Sequence, residues 1–362
     1  MPRAATFSPA DTSRSMTMAE RPRFRIWLWW RVFGLVGGAA IVALTIGAWI
    51  WLPLWLIVAA FLSGRLPGRW RALRLLWLAM LALTLESLVL VSLLGLWIGS
   101  GFGLWMRRPF WQWAHYDCMQ WYLRNLFREA TRVLRLRIVT VGPTPEAFPG
   151  DPLLVLSRHA GPGDSFTIVN ALMNTYDREP RIVLKNTLMW EPTIGILMHR
   201  LPNRFVRPDP RPGQDLRSQI ADLARGLDSD DALLIFPEGG NFTPGRRTRA
   251  IARLRHLGLE QMAVRAEKWA HVLAPRPGGV AAALGAAPGV DVLLCAHTGL
   301  DHLATVGDIW RELPMDKELT LRWWRVPRAH IPSDPDGISE WLFEEWARID
   351  AWIGENQPRT HH

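Results

Sequence analysis

Leu153-Leu-Val-Leu-Ser-Arg-His-Ala-Gly-Pro-Gly-Asp164 is an apolar run, Leu153 to Leu156, that breaks into a turn rich in small residues. A second apolar-periodic run follows, from Phe166 to Met173. The pattern predicts a strand that ends in a sharp turn and reopens as a helix. Such a turn brings His159 and Asp164, with four residues between them, side by side. A histidine whose ring is held by a carboxylate can take a proton from a hydroxyl. That apparatus makes an alcohol attack an acyl group. The plain structural alternative is a turn histidine next to an aspartate that caps a helix.

Outward from this stretch the pattern alternates. Strands are expected at Arg137–Val141, Leu153–Leu156, Arg181–Leu184, Arg204–Val206, Ala232–Phe236, Val290–Cys295 and Thr320–Val326. Helices are expected at Asp164–Tyr176, Leu188–Met198, Gln214–Leu227, Leu259–Val272 and Ile338–Ile353. The alternation argues for an α/β domain around a mixed, largely parallel sheet flanked by helices. The proline-rich stretches Arg207–Pro212 and Pro275–Gly279 read as loops.

Before residue 137 the chain has another character. Val32 to Leu62 carries no charge, and Leu75 to Met106 is interrupted only by Glu86. Runs of ~20 apolar residues suffice to cross a bilayer. The N-terminal part is therefore expected to form a membrane-embedded helical hairpin. Six arginines (Arg3, Arg14, Arg21, Arg23, Arg25, Arg31) favour a cytoplasmic N-terminus. A plain two-span hairpin, however, would strand Arg65, Arg69, Arg71 and Arg74 on the far side. Pro53 can kink the first segment or turn it back, so re-entrant or interfacial hairpins are the alternative. Glu86 needs a partner or a polar depth. Pro109 to Leu136, rich in Trp and Arg, reads as an interfacial amphipathic helix or as an ordinary soluble helix with a charged face.

The whole chain carries 42 Lys+Arg against 33 Asp+Glu, a formal net charge of +9. Of its 21 tryptophans, 13 precede residue 125, interleaved with arginine, which suits an anionic membrane surface rather than nucleic acid. Cys118 and Cys295 alone make no disulfide framework. His297, Asp301 and His302 hint at metal-ligand spacing, but no metal site is expected. Five arginines between Arg246 and Arg255 lack a recognisable nucleic-acid fold and suit anionic lipid or the phosphates of coenzyme A.

Three further stretches complete the pattern: Phe236-Pro-Glu-Gly-Gly-Asn-Phe-Thr243 after an apolar strand, Lys185 to Arg207, and the tail from Arg328 to Asp350. With His159 and Asp164 they resemble the glycerolipid acyltransferases that acylate 1-acylglycerol-3-phosphate and other lysophospholipids. The tail is most similar to the lysocardiolipin and lysophosphatidylglycerol branch. The resemblance covers about residues 105 to 354. The chain departs at Ala160 (usually asparagine), at Thr187 (often glutamate) and at Gly240-Asn241 (usually Thr-Arg).

The resemblance implies a membrane-bound transfer of a fatty acyl group from acyl-CoA or acyl-ACP (acyl carrier protein), with no cofactor, to the free hydroxyl of a lysophospholipid. His159 is expected as general base and Asp164 as its orienting partner. Backbone N–H groups near Gly161 and Gly163 are expected to hold the oxyanion. Glu238, Gly239, Phe236 and Pro237 are expected at the acceptor, with Lys185, Arg204 and Arg207. Arg204 and Arg207 are candidates for its phosphate, and Arg246 or Arg247 can replace the missing motif arginine. The expected organisation is a disordered basic N-terminus (1–25), membrane-anchoring helices (26–106), an interfacial helix (107–136) and the acyltransferase domain (137–356). The expected partners are a membrane lipid acceptor, the acyl donor and an anionic membrane surface, with no nucleic acid. The place is the cell membrane, with the domain facing the cytoplasm. A glycolipid acceptor, or a non-catalytic protein that binds anionic lipid, remains the alternative.

Overall fold

Strand β2 (Leu153–Ser157) is buried along its whole length, as its unbroken apolar run requires of a strand covered on both faces. Strands β5 (Asp231–Ile235) and β6 (Asp291–Thr298) pair with it on either side, both parallel. The computed structural model describes residues 24–65, 70–143, 150–161, 163–206, 215–299 and 310–357. Its sheet has seven strands in the order β1-β7-β6-β2-β5-β3-β4, with β1 at Leu136–Val141, β3 at Glu179–Lys185, β4 at Arg204–Val206 and β7 at Lys317–Val326. Every pairing is parallel except β6 with β7. The sheet is therefore mixed and largely parallel.

Alternate side chains of the central strands point to opposite faces, and each face has its own core. Leu154, Leu156, Leu233, Ile235, Val292 and Leu294 pack one way. The helices on that face are α7 (Leu216–Ala224), α8 (Pro244–His256), α9 (Glu260–Glu267), α10 (Pro277–Ala286) and α11 (Pro335–Asn356). Leu153, Val155, Ala232, Leu234 and Leu293 pack the other way, against α4 (Pro109–Leu134), α5 (Asp164–Asn174) and α6 (Pro192–Arg200).

Two helices fall where sequence reading placed none. Pro277, read as part of a loop, is instead the first residue of α10, where its missing N–H is harmless. The arginine stretch is α8, started by Pro244 and capped by the Thr243 hydroxyl, which accepts from Arg246 N at 3.2 Å. The helix expected from Leu188 to Met198 divides into a 3-10 turn, Asn186–Trp190, and α6, because Glu191 caps a new start at Pro192.

The apolar N-terminal part forms α1 (Phe24–Ile50), α2 (Leu52–Arg65) and α3 (Arg71–Gly99). The break before Pro53 bends α2 by 68° from α1. Antiparallel α1 and α3 meet through polar groups: Thr45 Oγ1 lies 2.7 Å from Ser87 Oγ, and Trp49 Nε1 donates to Thr84 Oγ1 at 3.0 Å. Helix α3 is long and apolar enough to cross a membrane, and α1 with α2 would be a second such element if counted as one.

Yet α3 is fastened to the α/β domain along its length. At its start Arg71 donates to the carbonyls of Leu313 (2.7 Å) and Arg311 (2.9 Å), and Arg74 to that of Val133. Midway, Glu86 accepts from Thr193 of α6 at 3.2 Å, the partner its position demanded. Further on, Leu93 O accepts from Arg200 at 2.7 Å, and Gly99 abuts Trp111 of α4.

Candidate active site

The carboxyl ends of β2, β5 and β6 lie side by side at the centre of the sheet, where parallel α/β folds place their ligands. The last pairs are Leu156 with Ile235 and Ser157 with Cys295. Counting onward from these pairs, His159, Glu238 and His297 reach one level above the sheet.

The turn after β2 is built around one carboxylate. His159 Nδ1 stands 3.1 Å from both oxygens of Asp164. The amides of Ala160 (2.6 Å) and Gly161 (3.1 Å) donate to Oδ2, and that of Ser165 to Oδ1 at 2.6 Å. Burial would push this acid's pKa up. The hydrogen bond from His159 and the close approach of His297, with their charges, outweigh that and hold it well below the usual carboxylate range. A permanently ionised Asp164 fixes the proton of His159 on Nδ1. Nε2 is then the nitrogen left for a substrate proton, on a side chain that is 18% exposed.

The amides of Ala160, Gly161 and Ser165 are bound to Asp164, so of the two glycines expected beside an oxyanion the Gly161 amide is already engaged.

The turn after β5 closes the site from the other side. Phe236 lies against the His159 ring with centroids 4.6 Å apart, and Phe242 N donates to His159 O at 2.7 Å, tying the two turns together. Pro237 O accepts from Arg276 N at 2.8 Å. Gly239 has φ of 70°, a left-handed conformation that favours glycine, and a Cβ there would sit 3.2 Å from the Arg276 guanidinium carbon. Glu238 points inward: it is 3% exposed and accepts from Trp346 Nε1 of α11 at 3.3 Å. Burial raises its pKa to about 8 against the pull of the neighbouring Arg158 charge.

The cationic candidates separate. Lys185 is exposed at the end of β3, and Arg204 is exposed on the edge strand β4, both beyond β5 from His159. Arg207, His302 and Asp301 lie outside the described residues. Arg247 is committed to the carbonyls of Trp269 and Glu267, each at 2.6 Å. Arg255 pairs with Glu260 and Glu267. Arg246, in contrast, folds back over the turn, donating to Asn241 O at 3.0 Å. Glycine at 240 leaves it room, since a Cβ would stand 3.2 Å from Arg246 Nη1.

Sequence reading missed two site residues. His297, weighed only as a metal ligand, stands with Nε2 3.4 Å from Asp164 Oδ2. Arg158, 2% exposed, donates to His297 O at 2.7 Å. The signal for His297 is the strand register, which becomes readable only once β6 is known to neighbour β2. Among the described residues, no group of His, Cys, Asp and Glu side chains is arranged to hold a metal.

Residues 139–282, which hold His159, Asp164 and Glu238, match the family model Acyltransferase. An uncharacterised acyltransferase of Schizosaccharomyces pombe is 24% identical over 185 residues, 48% of this chain and 50% of that one. The chain thus spans about half the length of this curated relative. Among solved structures, the 1-acyl-sn-glycerophosphate acyltransferase PlsC of Thermotoga maritima aligns with a TM-score of 0.48 and 16% identity, over 78% of this chain and 97% of that one. The His-x4-Asp and Phe-Pro-Glu-Gly motifs thus both lie inside the segment that is similar to the acyltransferase family.

Proposed function

We propose that this acyltransferase works at a membrane surface, moving a fatty acyl group from an acyl thioester of coenzyme A or acyl carrier protein to the free hydroxyl of a lysophospholipid, with 1-acylglycerol-3-phosphate as the first candidate. The observation that carries the reading is His159 Nδ1 at 3.1 Å from both oxygens of an ionised Asp164. His159 Nε2 removes the hydroxyl proton as the oxygen attacks the thioester carbonyl. The tetrahedral intermediate then expels the thiolate, which takes the proton back from His159. No side chain is acylated, and no cofactor enters. A general base placed in this way is typically worth ~10²–10⁴ in rate.

The anionic end of the acceptor is assigned to Arg246 and Arg276, the guanidinium groups over Gly240 and Gly239. Guanidinium suits phosphate oxygens because two N–H groups can meet two oxygens at once. Arg246 thereby takes the part of the arginine that family members carry where this chain has Asn241.

Attachment in the plane of one leaflet suits the helices better than a crossing. Helix α3, ~43 Å long at 1.5 Å per residue, is tied to the domain at its start, middle and end. A helix that crossed the bilayer would carry one end away from a domain on one side of it. The exposed apolar side chains of α1 to α3, among them Leu35, Trp49, Trp55, Ile57, Phe61 and Trp77, instead offer an interfacial surface. This is the interfacial alternative that Pro53 and the α2–α3 arginines left open. The domain then lies on the cytoplasmic face of the cell membrane, where the donor is made.

The test is acyl transfer by detergent-purified protein from palmitoyl-CoA, oleoyl-CoA and acyl carrier protein to lysophosphatidic acid, lysophosphatidylglycerol and a glycolipid acceptor. His159→Ala is run in parallel. Loss of at least ~10²-fold in the variant is expected. Transfer that survives the substitution overturns the base assignment, and transfer to the glycolipid alone overturns the acceptor.

A further inference from the structure

His297 is buried at 4% exposure at the end of β6, level with His159 by the β2–β6 register. Its Nε2 has no hydrogen-bond partner at bonding geometry, yet it stands 3.4 Å from Asp164 Oδ2. A buried, unsatisfied ring nitrogen is costly and calls for an explanation. Its backbone is not loose: Arg158 Nη1 donates to His297 O at 2.7 Å, and β6 is paired on both sides.

We infer that His297 is a positioning residue for acyl transfer: carrying its proton on Nε2, it closes on Asp164 Oδ2 and holds the carboxylate that orients His159. The opposite tautomer would set a nitrogen lone pair against a carboxylate oxygen. Catalytic contacts that are long in an empty site commonly tighten when substrate binds. Asp164 is then held from both sides, by His159 on the open face and by His297 from within the sheet. The charged and titratable groups around His297 are Asp164 from α5, His159 and Arg158 from the turn after β2, Cys295 from its own strand, and Glu238 from the turn after β5, next to Arg158.

The consequence follows from sharing. A second donor on Asp164 shares the negative charge that faces His159, so losing that donor concentrates the charge on the His159 side. Removing the donor should move the acid limb of kcat/KM to higher pH and lower kcat, with little change in KM for the acceptor.

The inference rests on His159 being the general base, and the experiment separates the two. Full-length protein in detergent is assayed from pH 5 to 9 as wild type, His297→Leu, His297→Gln and His159→Ala. His297→Leu is expected to lower kcat by at least ~10-fold and to move the acid limb up by roughly half a pH unit or more. Gln, which can bring an N–H to the same place, is expected to recover most of both effects. If Leu does not fold, Asn replaces it, being polar but too short to reach. A Leu profile that superimposes on wild type, or Leu (or Asn) and Gln behaving alike, overturns the inference. Activity that persists in His159→Ala overturns the base assignment instead.

Discussion

The turn after β2 and the turn after β5 each bury a carboxylate at the same end of the sheet, and they treat it in opposite ways. Asp164 is 9% exposed and Glu238 3% exposed, so dehydration alone would keep both protonated. Asp164 receives three amide N–H groups and a histidine, and stays ionised. Glu238 receives the Trp346 indole at 3.3 Å, its Oε2 has no donor at hydrogen-bonding geometry, and its pKa climbs to about 8. Donors and histidines outweigh burial at Asp164, while at the more deeply buried Glu238 burial outweighs its donors and the Arg158 charge. The site thereby obtains a fixed anion to orient its histidine and a neutral acid to brace its second turn against α11.

The largest effect should come from breaking the first half of that comparison. Asp164→Asn replaces an acceptor by an amide nitrogen that can only donate, facing groups that also donate. Turnover should fall by at least ~10²-fold. Stability should drop by about 2–3 kcal/mol, the scale of hydrogen bonds to a charged group. Steady-state kinetics and urea unfolding at pH 7 measure the two. A variant that unfolds like wild type would show that the amides do not depend on the carboxylate charge.

Next in size is the second half. Glu238 has an ordinary pKa of 4.5 and keeps its proton to about 8 in the folded protein. The folded state therefore binds more protons than the unfolded chain between these values. Its contribution to stability is full below pH 4.5 and is lost as pH rises through 8, at up to ~1.4 kcal/mol per pH unit. Glu238→Gln should flatten the fall in stability between pH 5 and pH 8 by that amount. Glu191 and Glu179, raised chiefly by burial to about 8 and about 7, titrate in the same direction and keep part of the slope in place. Asp164 adds nothing in this window, because its depressed pKa places its own loss on the acid side of 3.8. Unfolding curves at four pH values decide the matter, and an unchanged slope would show Glu238 to be ionised.

The two halves of the site were unequally legible in the sequence. His159 and Asp164 sit in one turn, so local spacing sufficed to pair them. All seven strands were legible as well, because runs such as Leu153–Leu156 and Leu233–Ile235 are too apolar to lie anywhere but in a covered sheet. His297 was not legible as a partner of Asp164, because strand order is a property of the fold and His297 lies 133 positions beyond Asp164 in the chain. The roles of Arg246 and Arg247 were equally hidden, since neighbours on a helix point about 100° apart and only packing decides which faces the site. Helix α8 was masked by its own arginines, whose charge hid the Ile251 and Leu254 that bury its inner face. Composition marked α3 as long and apolar enough to span, while the arginines that fasten its start to Leu313 and Val133 became visible only in the packing.

The smallest and sharpest test alters the donor while leaving both acids in place. Trp346→Phe keeps an aromatic ring in the core beside Glu238 and removes the indole N–H. At pH 6, where Glu238 is neutral, the lost bond should cost about 1 kcal/mol. At pH 9 the carboxylate is ionised and a bond to a charged acceptor is worth roughly twice as much, so the cost should rise to about 2 kcal/mol. The sign follows from the charge: taking away a donor destabilises the anion more than the acid, so the pKa of Glu238 moves further up. That carries it further from Asp164, the direction expected if donor supply separates the two carboxylates. An equal cost at both pH values would mean that the indole packs against Glu238 without bonding to its charge, and that the Arg158 charge and the Leu273 and His159 amides set the balance.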